Sequence, residues 1–144
     1  AQANGLLAQA FGVQAEAIAE SALAVGALAD ATADSATPLG AFSSATTADA
    51  TAVGARSAAR GDFATALGTR ASARGIASLA VGVNAEALGD ATTAVGQRST
   101  AAGDYSIALG SLASAEFDET LAIGGFALNF TARATAIGNY SAAG

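Results

Sequence analysis

The chain has 144 residues, enough for one ordinary domain, and carries six arginines, no lysine and twelve acidic residues for a net charge of −6. That acidic balance argues against nucleic acid as a partner, and the absence of cysteine and histidine removes disulfides, thiolate chemistry, the commonest general base and the commonest metal ligand. Most of the 52% hydrophobic fraction is alanine, with six Phe, two Tyr and no Trp or Met, so no thick core of large side chains can be assembled, and no apolar run reaches transmembrane length.

Along the chain, glycine recurs at Gly12, Gly26, Gly40, Gly54, Gly68, Gly82, Gly96, Gly110, Gly124 and Gly138, every gap being 14 residues. These glycines define a repeat of ten coils. The residue before each is large and apolar in every copy, from Phe11 and Val25 through Leu109 to Ile123 and Ile137. The residue before that is alanine, except at Pro38. Three and five residues after each glycine the columns are almost wholly Ala or Ser, as in Ala71 and Ala73. In the first coils the midpoint of the repeat is held by Ala19, Ala33 and Thr47. From Gly54 to Gly110 it is held by Gly61, Gly75, Gly89 and Gly103, so a coil has two similar halves. The pairs Gly61-Asp62, Gly89-Asp90 and Gly103-Asp104 are turn dipeptides. The last coils gather aromatics: Phe117, Phe126, Phe130 and Tyr140.

A period of 14 also equals two heptads, but a coiled coil would carry an interior glycine in every coil, each costing about 1 kcal/mol relative to alanine. Strands explain more. In Ser106-Ile107-Ala108-Leu109-Gly110, Ile107 and Leu109 share one face and Ala108 takes the other. Each half-coil then holds about five strand residues and two turn residues, with glycine supplying the turn dihedrals. Two short strands and two tight turns make a flattened β-roll, and ten coils stacked at about 4.8 Å make a rod roughly 45–50 Å long. The large residue before each glycine is expected to point inward against the Ala/Ser columns. The alanines beside it then form a flat outer face that one roll cannot bury, and a closed homo-oligomer would cover it. Pro38 lacks a ladder donor, so the third coil is expected to be locally irregular.

Residues one coil apart stack into ladders. Arg56 and Arg70 share a column with Arg98, and Arg60 and Arg74 share another. Arg56, Arg60, Arg70 and Arg74, in neighbouring coils, are candidate contacts for an anionic or matrix-protein ligand. They also fit a solvated face balanced by Asp62 and Asp90, which is the usual meaning of a charge run. Phe126 and Tyr140, in the column of Leu28, Phe42 and Leu112, are candidate adhesive anchors or packing residues. Asp118 and Glu119 lack a third ligand at metal spacing. Asn129-Phe130-Thr131 and Asn139-Tyr140-Ser141 fit the glycosylation triplet, which arises easily by chance. Threonines recur three residues before the strand glycine, but no Thr-x-Thr ladder of an ice-binding face is formed.

The core [Ser/Thr]-[Ile/Leu]-Ala-[Val/Ile/Leu]-Gly, clearest at Ser78 to Gly82, Ser106 to Gly110 and Thr120 to Gly124, resembles the head repeat of YadA-like trimeric autotransporter adhesins. The second half, x-x-[Ala/Ser]-x-Ala-x-Gly, matches at Ala85 to Gly89 and Ser99 to Gly103. The family's frequent Asn ahead of the strand motif is replaced by residues such as Asp49, Tyr105 and Glu119. The resemblance covers all ten coils, so residues 1–144 are expected to be a single head segment of a longer chain. It implies an all-β, left-handed parallel β-roll, a β-solenoid of about ten 14-residue coils, assembled as a homotrimer. It further implies a bacterial cell-surface location, with outer-membrane anchoring through other regions and no membrane contact by this segment. The expected partners are two identical chains and a host extracellular matrix protein or cell surface. The expected role is non-catalytic attachment and autoagglutination, with no cofactor, no metal and no nucleic acid. A purely structural spacer of a surface or phage fibre is the alternative.

Overall fold

A computed structural model describes all 144 residues. The chain is all-β, with 21 short strands in two parallel sheets. Strands of three residues, such as Leu79–Val81, form a ten-stranded sheet, and strands of two residues, such as Ser72–Ala73, form an eleven-stranded one. The chain alternates between the sheets, and every pairing is parallel and offset by one 14-residue coil, as in Ala66↔Ala80 and Ala73↔Ala87. The expected β-solenoid of ten 14-residue coils is therefore the observed fold.

The strands are shorter than the sequence pattern suggests, and the turns correspondingly larger. The turns are hydrogen-bonded all the same. Of 99 backbone hydrogen bonds only 27 lie within the strands, and the rest involve the turns and strand ends, some within one coil and many between coils. Leu28 N–H donates to Val13 C=O and Asn84 N–H to Thr69 C=O, for example. The ladder thus continues around the whole coil, which satisfies backbone groups that ordinary loops leave to water.

Both half-coils contain a non-glycine residue in the left-handed region. These residues fall at every seventh position from Leu7 to Tyr140, with φ between 52° and 63°. The strand glycines adopt φ between 126° and 144°, a region closed to other residues. A Cβ on Gly82 would also lie 2.5 Å from Gly96 O. The midpoint glycines do not share this dihedral. In the second half-coil the positive φ falls two residues later, on Phe63, Ala77, Ala91 and Tyr105. The expectation that glycine supplies the dihedrals of both turns therefore holds for the first turn only. At the midpoints glycine permits close backbone approach instead.

The core is a column of alanines. Its cluster of 26 buried residues is alanine throughout, one or two from each strand and its preceding turn between Glu16–Ala17 and Thr135–Ile137. Here the sequence expectation is reversed. In the ten-stranded sheet Ala24, Ala52, Ala66, Ala80, Ala94, Ala108 and Ala122 point inward and are wholly buried, while the large residues beside them point out and are half-buried. Alternation was assigned correctly, but with the wrong face inward. Two- and three-residue strands joined by tight turns bring the sheets so close that small residues, almost always Ala, Ser or Thr, fill the space between them. Ser43 and Ser57 replace alanine in the core by donating to Gly40 O and Gly54 O at 2.8 Å, and Thr92 donates to Gly89 O at 2.7 Å.

Pro38 lies in an inward column, fully buried within strand Thr37–Leu39. Toward the following coil its strand pairs fully, but toward the preceding one only Val25↔Leu39 remain in register. The third coil is irregular on that one edge, as a missing N–H requires. A second irregularity occurs at Asn129, which replaces alanine in the core at 3% exposure with neither amide atom bonded. There the pairing toward the preceding coil shrinks to Ser114↔Leu128.

Candidate functional site

The two outer faces differ in chemistry. On the ten-stranded sheet one outward column reads Phe11, Val25, Leu39, Val53, Leu67, Val81, Val95, Leu109, Ile123 and Ile137. The parallel outward column holds Leu23, Leu79, Ile107 and Leu121 with threonines between them. This is an unbroken apolar strip along the length of the rod. Phe11 and Ile137 at its ends are 58% and 65% exposed. The face needing a partner is therefore this one, and not an alanine face. On the eleven-stranded sheet the outward residues are mixed and mostly polar, including Glu16, Asp30, Ser44, Ser72, Glu86, Thr100 and Ser114.

The candidate residues fall on the turns and on this polar face. Arg56, Arg60, Arg70 and Arg74 occupy neighbouring coils, two in the column just past the strand glycine and two just past the short strand. All four are exposed. None pairs with Asp62 or Asp90, since the one ion pair joins Arg133 Nε to Glu119 Oε2 at 3.1 Å. Arg56 instead lies over the ring of Phe42, 5.6 Å from its centroid. Phe126 and Tyr140 stack face to face with centroids 4.9 Å apart and planes 8° from parallel. That separation is the coil spacing itself.

The aspartates after the midpoints have a structural task that the sequence did not reveal. Asp90 accepts from Ile76 N–H at 2.8 Å, Asp104 from Asp90 N–H at 2.9 Å, and Asp118 from Asp104 N–H at 2.9 Å. Each carboxylate closes the turn of the coil before it. Asp118 and Glu119 are thus engaged separately, the first on a backbone amide and the second on Arg133. Asn129 is enclosed in the core, so the first glycosylation triplet is not presented to solvent, whereas Asn139 is exposed.

Two shallow concavities lie near the start of the rod. The larger, about 400 Å³, is lined by Gln14, Glu16, Leu28, Asp30, Phe42 and Ser44 among others. Burial, and then the charge of Glu16, raise the Asp30 pKa above its ordinary value. No helix is present that is long and apolar enough to cross a membrane.

Comparison with curated proteins finds no match. Comparison with family models finds the YadA head domain repeat in six overlapping windows: 31–57, 48–71, 59–85, 73–99, 87–113 and 101–127. The windows run without a gap from residue 31 to residue 127. That family is a structural and adhesive module of surface-exposed trimeric autotransporters. With two thirds of its length matched and its coil geometry that of the repeat, the chain belongs to the YadA head domain family.

Proposed function

We propose that the chain is the head segment of a trimeric autotransporter adhesin on a bacterial outer surface, attaching the cell to host extracellular matrix or host cells and promoting autoagglutination without catalysis. The observation that carries this reading is the outward column from Phe11 to Ile137, large and apolar in all ten coils. A strip of this length is not left bare on a soluble monomer. Three rolls packed about a common axis cover it with one symmetric contact. Such packing leaves the polar sheet facing outward, available to a ligand. Membership of the YadA head family supports both the trimer and the attachment.

The purely structural spacer is kept as a second reading because of the regularity of the rod. The offset is one coil at every pairing, with no loop inserted between strands. Solid-phase binding of the verified trimer to collagen, fibronectin and laminin separates the two. Saturable binding to any of them supports attachment. Absence of binding to all three, together with no adherence to host cells, leaves the spacer.

A further inference from the structure

Ala58 and Ser72 face away from the core, because their strand neighbours Ala59 and Ala73 are the residues lodged in it. Elsewhere in this outward column the residues are exposed or half-exposed, but Ala58 and Ser72 are each only 8% exposed. Arg56 lies in the turn before Ala58 and Arg60 follows the short strand, and Arg70 and Arg74 flank Ser72 in the same way. The hydroxyl of Ser72 is enclosed and has no hydrogen-bond partner. Enclosed polar atoms are normally satisfied, so a bare one calls for an explanation.

The arginines are equally short of acceptors, Arg56 having only the ring of Phe42. Two pairs of like charge stacked in adjacent coils cost stability. None of the four makes an ion pair, and the in-register neighbour of Ser72, Glu86, is exposed and bonded to none of them. Four guanidinium groups and a hydroxyl thus form a set of donors without an acceptor.

We propose that Arg56, Arg60, Arg70 and Arg74, with Ser72 between them, form a binding site for a linear sulfated polysaccharide. The inference rests on the attachment reading and names the chemistry of the contact. Guanidinium forks take the oxygens of an oxyanion in pairs. The two arginine columns stand at opposite ends of the short strand, one in the turn before it and one just after it, so a single small anion is not enough to engage all four. Several anionic groups carried on one chain can. The larger concavity borders this patch through Phe42 and Ser44, and its Glu16 and Asp30 would repel an acidic peptide seated there.

Retention of the purified protein on immobilised heparin, read as affinity against salt, tests this. The wild type is expected to bind at low salt and to weaken steeply as salt rises. The double variant Arg60→Gln with Arg74→Gln should lose at least about tenfold in affinity. Ser72→Ala should lose about threefold with an unchanged melting temperature. Arg133→Gln, whose charge is already paired with Glu119, should bind as the wild type does. Desulfated heparin of equal length should compete at least about tenfold worse than heparin. Failure of the wild type to bind, undiminished binding by the double arginine variant, or equal competition by a polyglutamate peptide would each overturn the proposal. Heparin binding without adherence to cells would count against the attachment reading and leave this site standing. Adherence to cells that survives the double arginine change, with heparin binding absent, would sink this site alone.

Discussion

Ala80 and Val81 are neighbours on one strand and meet opposite surroundings: Ala80 is wholly enclosed between the sheets, and Val81 lies half-buried on the outer face. The small residue is inside because the gap is thin, and the large one is outside because it does not fit. Enlarging the inner residue should therefore be far more damaging than shrinking the outer one. Ala80→Leu is expected to destabilise the fold by about 3 kcal/mol or more, since coils on both sides fix the gap. Val81→Ser should change the stability of a single roll by less than about 1 kcal/mol. Denaturant unfolding of the two variants measures the difference.

The strand glycines and the ordinary glycines should separate just as cleanly. Gly82→Ala places a Cβ against a backbone carbonyl at a φ of 131°. It is expected to cost about 3 kcal/mol, combining a forbidden dihedral with a clash that cannot relax without opening the coils. At Gly125 the added Cβ would meet the Asn139 side chain, which can turn away, and φ is not positive. Gly125→Ala should therefore stay within about 0.5 kcal/mol of the wild type. Thermal melting of both proteins checks this.

The period, the register and the partition into two strands per coil were all legible in the sequence, because glycine and alanine recur without a single insertion. The direction of the faces was not. Alternation tells which residues travel together, as Ile107 and Leu109 do, and leaves open which set faces inward. Deciding that requires the thickness of the roll, which is set by turns whose left-handed residues include Leu28, Phe42, Arg70 and Tyr105 and only once an asparagine, Asn84. Nothing in those side chains announces the dihedral. The four arginines were visible as a cluster, but the enclosed hydroxyl of Ser72 needed the burial pattern to be seen.

The aspartate ladder predicts a distinction between charge and hydrogen bonding. Asp104 accepts from Asp90 N–H, and its own N–H donates to Asp118. Asp104→Ala leaves the Asp90 amide without its acceptor and should cost about 1 kcal/mol. Asp104→Asn keeps a carbonyl oxygen in the same place and eases the repulsion between stacked carboxylates, so it should be close to neutral. Hydrogen exchange at the Asp90 amide should quicken in the first variant and not in the second.

Asp30 predicts a pH dependence. Its raised pKa, caused by burial first and Glu16 second, means that the folded chain holds this proton more tightly than the unfolded chain does. The stabilisation is fully present below the ordinary value of 3.8 and is lost as pH rises through the folded value. Asp30→Asn should therefore melt slightly higher than the wild type at pH 7. The advantage should disappear when both are melted below that ordinary value. A constant difference across the pH range would mean that charge at Asp30 is not its cause.

The outward strip from Phe11 to Ile137 makes native mass the most direct test of the whole account. Sedimentation equilibrium of the wild type should give three times the chain mass of 13.7 kDa. Val81→Asp combined with Val95→Asp should give a single chain that keeps its β-sheet spectrum. A wild type that sediments as one chain at tens of micromolar would show that the apolar strip is left uncovered, and would contradict the trimeric head.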